Sequence, residues 1–444
     1  MQRARLLALA AVLCACARSA APPNLLVVTL DTVRADHLGA YGYGRPTSPA
    51  FDGFAAGAAF YTRAFATSPW TLPSHASLFT GLYPIEHGAH SFLSTQPRNA
   101  HPLDRRHATL AAELTAAGYD TAAIAANVAY LDRWTGLDRG FSHYDVVKAR
   151  SAELNARVFA WLDAPRNGPF FLFVNYMDAH RPYDRAPVAR LEPADPDARL
   201  LDRLIETVLG GGDPPPPDLV ARVIAQYDHG VAHDDDALGA LLAGLAARGL
   251  AANTVVVVTS DHGEYFGEHD LVEHSKDVYQ AALWIPLAIR GVSGAAPQRI
   301  EAPVSLAHLP QLIARELGAR AAPLAARFPR APGQGPLLAE NYFTRAKDLG
   351  DPRWAARFRR VRRAVFDWPW KRIVSSDGGG ELYDLAADPR EQTDLAREHP
   401  DVSGRLDAWL AAQLARVPER ERGLAGPEPT PSERDALREL GYAE

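Results

Sequence analysis

Runs of consecutive apolar residues mark the strands of this chain. The clearest are NLLVVTLD (residues 24–31) and NTVVVVTSDHGE (253–264), which are rich in β-branched residues and lead directly into acidic ones. FFLFVNYMDAH (170–180) has the same character, and TAAIAAN (121–127) is a weaker fourth strand. Because the apolar positions are continuous rather than alternating, the pattern predicts central parallel strands that are covered on both faces.

Helical patterns lie between these strands. HATLAAELTAAGY (107–119) and DALGALLAGLAARGL (236–250) show the helical period, and Gly249 is placed to end the second helix. Strands that alternate with helices predict an α/β fold, with a mostly parallel central sheet flanked by helices. Residues 185–218, which include GGGDPPPPD, are expected to form an irregular surface segment.

The pattern changes after about residue 333. RRAVFDWPWKRIVSS (362–376) and ELYDLAADP (381–389) predict antiparallel strands with a glycine-rich turn, and DVSGRLDAWLAAQLARV (401–417) predicts a helix. The expected organisation is therefore a signal peptide at 1–21, a large domain at 22–332, and a small C-terminal α+β subdomain with a tail at 333–444.

The first residues form an export signal. MQRARLLALAAVLCACARSAAPPN begins with two arginines, continues with an apolar stretch over residues 6–13 and ends in small residues, the pattern of a secretory signal peptide. LCAC at 13–16 resembles a bacterial lipobox, which makes Cys16 the expected lipidated first residue. Ordinary cleavage near Ala20 or Ala21 is the alternative. We therefore expect an exported protein, either periplasmic or anchored to the outer membrane as a lipoprotein.

Composition excludes few functions. The net charge of −6 over 444 residues gives no reason to expect a nucleic-acid partner. Both of the 2 cysteines lie in the export signal, so the remaining chain has none for a disulfide. Beyond the signal, no apolar run approaches the roughly 20 residues of a membrane span. Membrane contact is therefore expected only through an N-terminal lipid anchor.

The segment SPWTLPSHASLFTGLYP (68–84) carries the first candidate for chemistry. Pro73 disfavours a helix interior before it, so a helix is expected to begin near Thr71 and to end at Gly81. The hydroxyl of Thr71 then lies at a helix N-terminus, where unpaired backbone N–H groups favour an anion.

Polar residues that can bind a metal follow the predicted strands. The carboxyl ends of parallel strands meet at one edge of a sheet, so Asp31, Asp261 and His262 can converge on one divalent cation. Such a cation would polarise an ester and activate the hydroxyl of Thr71, which would itself be a further oxygen ligand. Asn127, at the end of another strand, is a candidate for contact with an ester oxygen.

Four motifs resemble the sulfatase family of the alkaline phosphatase superfamily: DTVRADHLGAYGY (31–43), TLPSHASLFTGLYP (71–84), TSDHGEYFGEHD (259–270) and ELYDLAADPREQTDLA (381–396). They follow the order and spacing of the family, and the resemblance covers nearly the whole chain after the signal. It implies an alkaline-phosphatase-like α/β core, a nucleophile at a helix start, and one divalent cation such as Ca, Mn, Mg or Zn.

The resemblance also bears on four further residues. His180 in DAHRPYD matches a histidine that contacts the ester or protonates the leaving group. His274 and Lys276 in EHSKDVYQ stand where sulfatases place substrate-binding residues. Thr32 occupies a position at which many sulfatases have a second metal-binding aspartate, so that ligand is expected to be missing or replaced by a neutral oxygen.

The chain departs from the family at the nucleophile. The sulfatase signature is Cys or Ser, any residue, Pro, any residue, Arg, and its first residue is oxidised to formylglycine. Here those positions are Thr71 and His75, and His75 is expected to replace the arginine as a hydrogen-bond donor. Threonine is not a substrate for that oxidation, and its sulfate ester cannot collapse to an aldehyde. Thr71 therefore favours phosphoryl esters, whose threonine intermediate water can attack at phosphorus.

The expected function is that of an exported, metal-dependent hydrolase that uses Thr71 to cleave a phosphate or sulfate ester of a small molecule, glycan or lipid. Phosphodiesters and phosphonate esters are favoured on chemical grounds. Two alternatives stay open. One is a transferase that moves a phospho-head-group onto a glycan or lipid, and the other is a catalytically degenerate protein that binds an anionic ligand.

Overall fold

The computed structural model describes residues 22–417, apart from 97–98, 194, 212–213, 293, 295 and 319–321, together with 431, 435 and 438. The expected α/β architecture is confirmed, with a large mostly parallel sheet flanked by helices and a separate antiparallel sheet near the C-terminus. The expected signal peptide and lipobox at 1–21 lie outside the described residues, so both stay predictions.

The strands are numbered here in chain order. They are β1 (Asn24–Leu30), β2 (Ala59–Phe65), β3 (Asp120–Ala125), β4 (His143–Val146), β5 (Phe170–Tyr176), β6 (Thr254–Thr259), β7 (Tyr265–Phe266), β8 (Val272–Glu273), β9 (Trp284–Arg290), β10 (Gln298–Ile300), β11 (Val304–Ser305), β12 (Leu337–Asn341), β13 (Arg362–Asp367), β14 (Trp370–Ser375) and β15 (Gly380–Asp384).

The large sheet has nine strands in the order β10-β2-β9-β6-β1-β5-β3-β4, and β11 also pairs with β2. β1 lies between β6 and β5 and is parallel to both, and β3 and β4 continue the parallel part. β9 is antiparallel to its neighbours β2 and β6. Every residue of β1, β5 and β6 is buried, which explains the continuous apolar runs in their sequences.

This topology sets the position of the chemistry. β1, β3, β5 and β6 are mutually parallel, so the residues that follow them meet at one edge of the sheet. Asp31 follows β1, Asn127 follows β3, His180 follows β5, and Asp261 follows β6. The expected convergence of polar residues at the carboxyl ends of the strands is therefore present.

The helices are also numbered in chain order. They are α1 (Pro49–Ala56), α2 (Thr71–Thr80), α3 (Pro84–His87), α4 (Leu110–Ala116), α5 (Ser151–Asp163), α6 (Leu200–Leu209), α7 (Pro217–Ala247), α8 (Gln280–Leu283), α9 (Leu309–Leu317), α10 (Ala322–Ala325), α11 (Ala346–Gly350), α12 (Ala355–Phe358) and α13 (Pro400–Leu414). Within the described parts of the chain, none of the helices is both long and apolar enough to cross a membrane.

The expectation of an irregular segment over 185–218 is wrong in part, because α6 lies within it and packs on α7. Leu200, Leu201, Leu204 and Val208 are buried at helical spacing, a pattern that the flanking prolines and glycines obscure in the sequence. α7 is also longer than the predicted helix over 236–250, since it extends over 31 residues.

The antiparallel sheet has the order β12-β13-β14-β15 and begins shortly after the expected domain boundary. The expected glycine-rich turn joins β14 to β15, and Gly378 adopts the left-handed φ of 95° that such a turn requires. α13 packs on this sheet through the buried side chains of Leu406 and Leu410. The predicted C-terminal strands and helix are thus present.

Candidate active site

Thr71 is the first residue of α2, at the point where an extended backbone enters the helix. Pro73 lies in the first turn, where its missing N–H breaks no helical hydrogen bond, and Gly81 ends the helix with a left-handed φ of 68°. All residues of α2 are buried. The hydroxyl of Thr71 therefore lies in the interior, at the helix end that attracts anions.

Asp31, Asp261 and His262 form a group that can hold a cation. One ligand atom from each of these buried side chains lies within 4.8 Å of the other two. Asp31 Oδ2 accepts a hydrogen bond from Asn127 at 2.9 Å, and Asp261 Oδ1 accepts from the backbone N–H groups of Thr32 and His262. Asp31 Oδ1 and Asp261 Oδ2 have no hydrogen-bond partner among the described residues.

This arrangement fits a divalent cation. Burial, and then the negative charge of Asp261, raise the pKa of Asp31 to about 8, and burial raises the pKa of Asp261 to about 7. Two buried carboxylates with one unpartnered oxygen each are costly unless a positive charge lies between them. The chemistry of this donor set, two carboxylates and an imidazole, suits Ca, Mn, Mg or Zn in different degrees.

Thr71 lies directly beside this group. Its Oγ1 is 3.4 Å from His262 Nε2 and 3.3 Å from Asn127 Nδ2. Asn127 Oδ1 accepts from the backbone N–H groups of Ala129 and Tyr130, so its amide nitrogen is directed at Thr71 and Asp31. Asn127 thus lies in the site as a donor to both the hydroxyl and the cation group, and its predicted contact with an ester oxygen stays a prediction.

Three buried histidines lie close together, and one of them, His262, belongs to the cation group. The ring centroids of His262 and His274 are 4.8 Å apart, and those of His274 and His180 are 5.0 Å apart. Burial is the main cause that lowers the pKa of all three imidazoles, and the effect is largest at His180 and His274. The structure therefore brings the two predicted substrate-contacting histidines together in the neutral state.

Hydrogen bonds define the tautomers of these rings. His180 and His262 each donate Nδ1–H to the carbonyl oxygen of the following residue, at 2.7 and 2.9 Å. His274 places Nδ1 3.0 Å from Glu264 Oε1. A neutral imidazole that donates from Nδ1 carries its lone pair on Nε2, which is the state that His262 needs to bind a metal.

Sequence reasoning missed Glu264 and Asn175, which support these residues. Glu264 is fully buried beside His274 and also accepts a hydrogen bond from Tyr183 at 2.8 Å. Asn175 donates to Thr29 Oγ1 at 3.1 Å and accepts from the backbone N–H of Asn127. Two features of the sequence indicate them. Asn175 is a polar residue inside the apolar run FFLFVNY, and Glu264 is an acidic residue directly after DHG.

The expected role of His75 is corrected by its position. Its Nδ1 donates to the carbonyl oxygen of Thr71 at 2.9 Å, and its Nε2 lies 3.2 Å from Thr29 Oγ1. Burial lowers the pKa of His75 to about 3, so the ring is neutral. Both ring nitrogens contact protein groups, so His75 supports the backbone of Thr71 and is not placed to donate to an ester.

The expected role of Lys276 is also corrected. Its ammonium group pairs with Asp348 and lies 3.5 Å from Glu273 Oε2, and the side chain is buried. Arg345 pairs with the same two carboxylates. Lys276 therefore belongs to a buried ion-pair cluster of Glu273, Lys276, Arg345 and Asp348, which holds its charge within the protein.

Thr32 does not replace the missing aspartate as an oxygen ligand. Its hydroxyl donates to the carbonyl oxygen of Asp31 at 2.7 Å, and its backbone N–H donates to Asp261. Its φ of 62° is left-handed, which turns that N–H towards the carboxylate. Thr32 contributes a backbone donor to the site.

The fold and the site together define the protein class: an α/β protein with a buried threonine hydroxyl at a helix start, beside three side chains that can hold a cation. The family model named Sulfatase matches residues 23–319. The chain therefore belongs to the sulfatase family of ester hydrolases, as its motifs predict.

Individual relatives show how far the similarity extends. The ulvan-active sulfatase of Formosa agariphila is 26% identical over 328 residues, which cover 64% of this chain and 59% of that protein. The phosphonate monoester hydrolase of Agrobacterium radiobacter superposes with a TM-score of 0.68 at 20% identity, covering 92% of this chain and 100% of that chain. A protein solved with its substrate D-glucosamine-2-N,6-O-disulfate gives a TM-score of 0.68 at 17% identity, covering 90% and 99%.

These matches differ in what they establish. The match spans less than two thirds of the ulvan-active sulfatase. The similarity to the two solved structures, at 20% and 17% identity, establishes the fold. Together, the matches show the family and the architecture of this chain.

Proposed function

We propose that the protein is a metal-dependent hydrolase that cleaves a sulfate or phosphate-type ester with Thr71 as its nucleophile. The position of Thr71 Oγ1 carries the proposal, since it lies 3.4 Å from His262 Nε2 and 3.3 Å from Asn127 Nδ2. When bound by Asp31, Asp261 and His262, a divalent cation would supply Lewis-acid stabilisation of the ester oxygens and favour the ionised hydroxyl.

Other residues of the chain orient the hydroxyl, attract the ester and protonate the leaving group in the proposed reaction. Asn127 orients Thr71 Oγ1, and the N-terminus of α2 attracts the ester anion. His180 protonates the leaving oxygen. An anionic ester beside this neutral ring raises the pKa of the ring, so Nε2 takes up a proton from solvent when the ester binds and donates it to the alcohol oxygen as the bond from that oxygen to phosphorus or sulfur breaks. His274, held by Glu264, lies beside both His262 and His180 and contacts the ester oxygens.

The charge of the site favours a monoanionic ester. The three histidines are neutral and Lys276 is neutralised by Asp348, so two carboxylates and one dication leave little net charge for a dianion. A phosphodiester or phosphonate monoester meets this condition, and the similarity in fold to phosphonate monoester hydrolases supports it. Sulfate monoesters are also monoanions, and the relatives named for ulvan and for a disulfated glucosamine support a sugar alcohol as the leaving group.

The direct test is an assay of the purified protein with Mn, Ca, Mg or Zn against an aryl sulfate, an aryl phosphate, a phosphodiester and a phosphonate monoester. We expect diesterase or phosphonate esterase activity to exceed sulfatase activity. Thr71→Ala should reduce kcat by at least about a thousandfold, and Thr71→Ser should keep part of the activity. Sulfatase activity that dominates, or that survives Thr71→Ala, contradicts the proposal.

Thr80→Ala is the matched control. Thr80 is the last residue of the same helix, about 13 Å along its axis, and its hydroxyl donates to the carbonyl oxygen of Ala76. This variant should retain activity. Product analysis with an added glycan acceptor separates hydrolysis from head-group transfer, since a transferase would give the phosphorylated acceptor in place of free product.

We also propose that the protein is exported and tethered through a lipid on Cys16, because LCAC follows the apolar part of the signal directly. Mass spectrometry of the membrane fraction should find an N-terminal lipidated cysteine. Cys16→Ala should release the protein into the soluble fraction. An unlipidated N-terminus at Ala20 or Ala21 would contradict the anchor while leaving export intact.

A further inference from the structure

A pocket of about 340 Å³ lies beside the proposed active site. Its volume is at the lower end of the range of about 300–1,000 Å³ that is usual for small-molecule sites. Four basic side chains line it together with two acidic ones: Lys148, Arg150, Arg181 and Arg185, with Glu153 and Asp184.

Several residues that line the pocket are chain neighbours of proposed site residues. Ala126, which precedes Asn127, and Met177, which follows β5, both line the pocket. Arg181 also lines it, directly after His180, and pairs with Glu273, the residue before His274. The pocket therefore adjoins the segments that carry Asn127 and His180, and His180 is the residue proposed to protonate the leaving group.

The basic side chains are not equally committed to protein partners. Arg185 is 11% exposed and lies 2.8 Å from Asp178 and 2.6 Å from Asp184. Arg150 is 48% exposed, and its distances to the same two carboxylates are longer, 3.6 and 3.5 Å. Arg150 can therefore exchange weak contacts for a ligand, while Arg185 holds Asp178 and Asp184 in place.

We propose that this pocket binds an anionic substituent on the alcohol half of the substrate, and that the guanidinium of Arg150 binds this substituent directly. The proposal rests on the proposed function, since it assigns the alcohol half of the same ester. A carboxylate and a sulfate each present two neighbouring oxygens, and a guanidinium can bind such a pair through two N–H groups. The substrate would then carry a second negative charge next to the ester that Thr71 attacks.

The test compares three esters with the same reacting group: 4-nitrophenyl phenylphosphonate and its analogues with a carboxylate or a sulfonate at position 3 of the nitrophenyl ring. The wild-type protein should show a lower KM for the charged analogues. Arg150→Ala should raise KM for these analogues about five- to tenfold, with kcat and the plain ester little changed. The analogue with the larger preference identifies the substituent as carboxylate-like or sulfate-like.

Arg157→Ala is the matched control. Arg157 lies on α5, is also 48% exposed, and pairs with Asp145 at 2.7 Å, away from the residues that line the pocket. It should leave all three KM values unchanged. Equal effects of Arg150→Ala on plain and charged esters, no effect on any ester, or the same selective effect from Arg157→Ala overturns the proposal.

A binding measurement separates this proposal from the proposed function. Calorimetric titration of Thr71→Ala protein with the three esters gives dissociation constants without turnover. If the wild-type protein hydrolyses none of the esters but Thr71→Ala still prefers the charged ones through Arg150, the function fails and the pocket assignment stands. If hydrolysis proceeds but all three esters bind equally, the pocket assignment fails alone.

Discussion

Three site histidines are each held by an oxygen acceptor, but the acceptors differ in kind. His180 and His262 donate to backbone carbonyls, which cannot change protonation, whereas His274 meets the carboxylate of Glu264. Burial raises the pKa of Glu264 to about 7, and the hydrogen bond from Tyr183 lowers it in part. The orientation and basicity of His274 therefore depend on a group that titrates near neutral pH.

Glu264→Gln should reduce kcat by about 10- to 100-fold, the usual effect of losing a group that orients an active-site imidazole. In the wild-type protein with saturating cation, kcat should rise as pH increases through about 7, because the carboxylate form holds His274 best. This inflection should be absent in Glu264→Gln. pH–rate profiles of both proteins provide the measurement.

Tyr183→Phe provides the control for this assignment. Its hydroxyl donates to Glu264 at 2.8 Å and stabilises the carboxylate, so its removal should raise the pKa and move the inflection to higher pH. An unchanged inflection in both variants would assign the titration to another group.

At the scale of elements, the sequence predicts the strands and helix ends that depend on the residues of one short segment. β1, β5, β6 and the start of α2 follow from continuous apolar runs and from Pro73 and Gly81. The direction of side chains after β7 does not follow, because Glu273 and Ser275 adopt left-handed φ values of 65° and 60° without being glycine. The alternation of side chains along a strand therefore fails there, and Lys276 points towards Asp348.

Contacts between distant segments were equally hidden from the sequence. Lys276 pairs with Asp348, 72 residues away, and Arg345 reaches back to Glu273. No sequence motif predicts α11, which contains Asp348 and directly follows Arg345. The pairing fixes the loop that carries His274 to the residues that follow β12.

Asp348→Ala should lower the free energy of unfolding by about 3 kcal/mol, because it removes one of the two carboxylates with which the buried Lys276 and Arg345 pair. Urea denaturation measures the change. The double variant Lys276→Met with Asp348→Leu should lose less than the single variant, since it removes a buried positive charge together with its partner. A single variant as stable as the wild type would show that the cluster does not hold this loop.

At the scale of the whole molecule, one edge of the large sheet combines a buried core with buried carboxyl groups. Asp31 and Asp261 closely follow core strands, and both side chains are fully buried. Their pKa values of about 8 and about 7 compare with an ordinary value of 3.8. Without a cation, the unfolded chain releases these protons from about pH 4 upwards while the folded chain retains them, so stability falls as pH rises towards 8.

A divalent cation should therefore stabilise the protein more at pH 8 than at pH 5. At pH 5 the cation competes with protons on both carboxylates, whereas near pH 8 it replaces an unfavourable buried charge. Thermal unfolding with a chelator and with each of Mn, Ca, Mg and Zn, at pH 5 to 8, provides the measurement, and the metal with the largest increase in Tm at pH 8 is the best candidate.

Asp261→Asn serves as the matched variant, because it removes one charge and keeps the size of the side chain. With chelator at pH 8 it should unfold at a higher temperature than the wild type, and added metal should raise its Tm little. A metal-induced increase in Tm that is equal at pH 5 and pH 8, or that persists in Asp261→Asn, would place the cation elsewhere than at Asp31, Asp261 and His262.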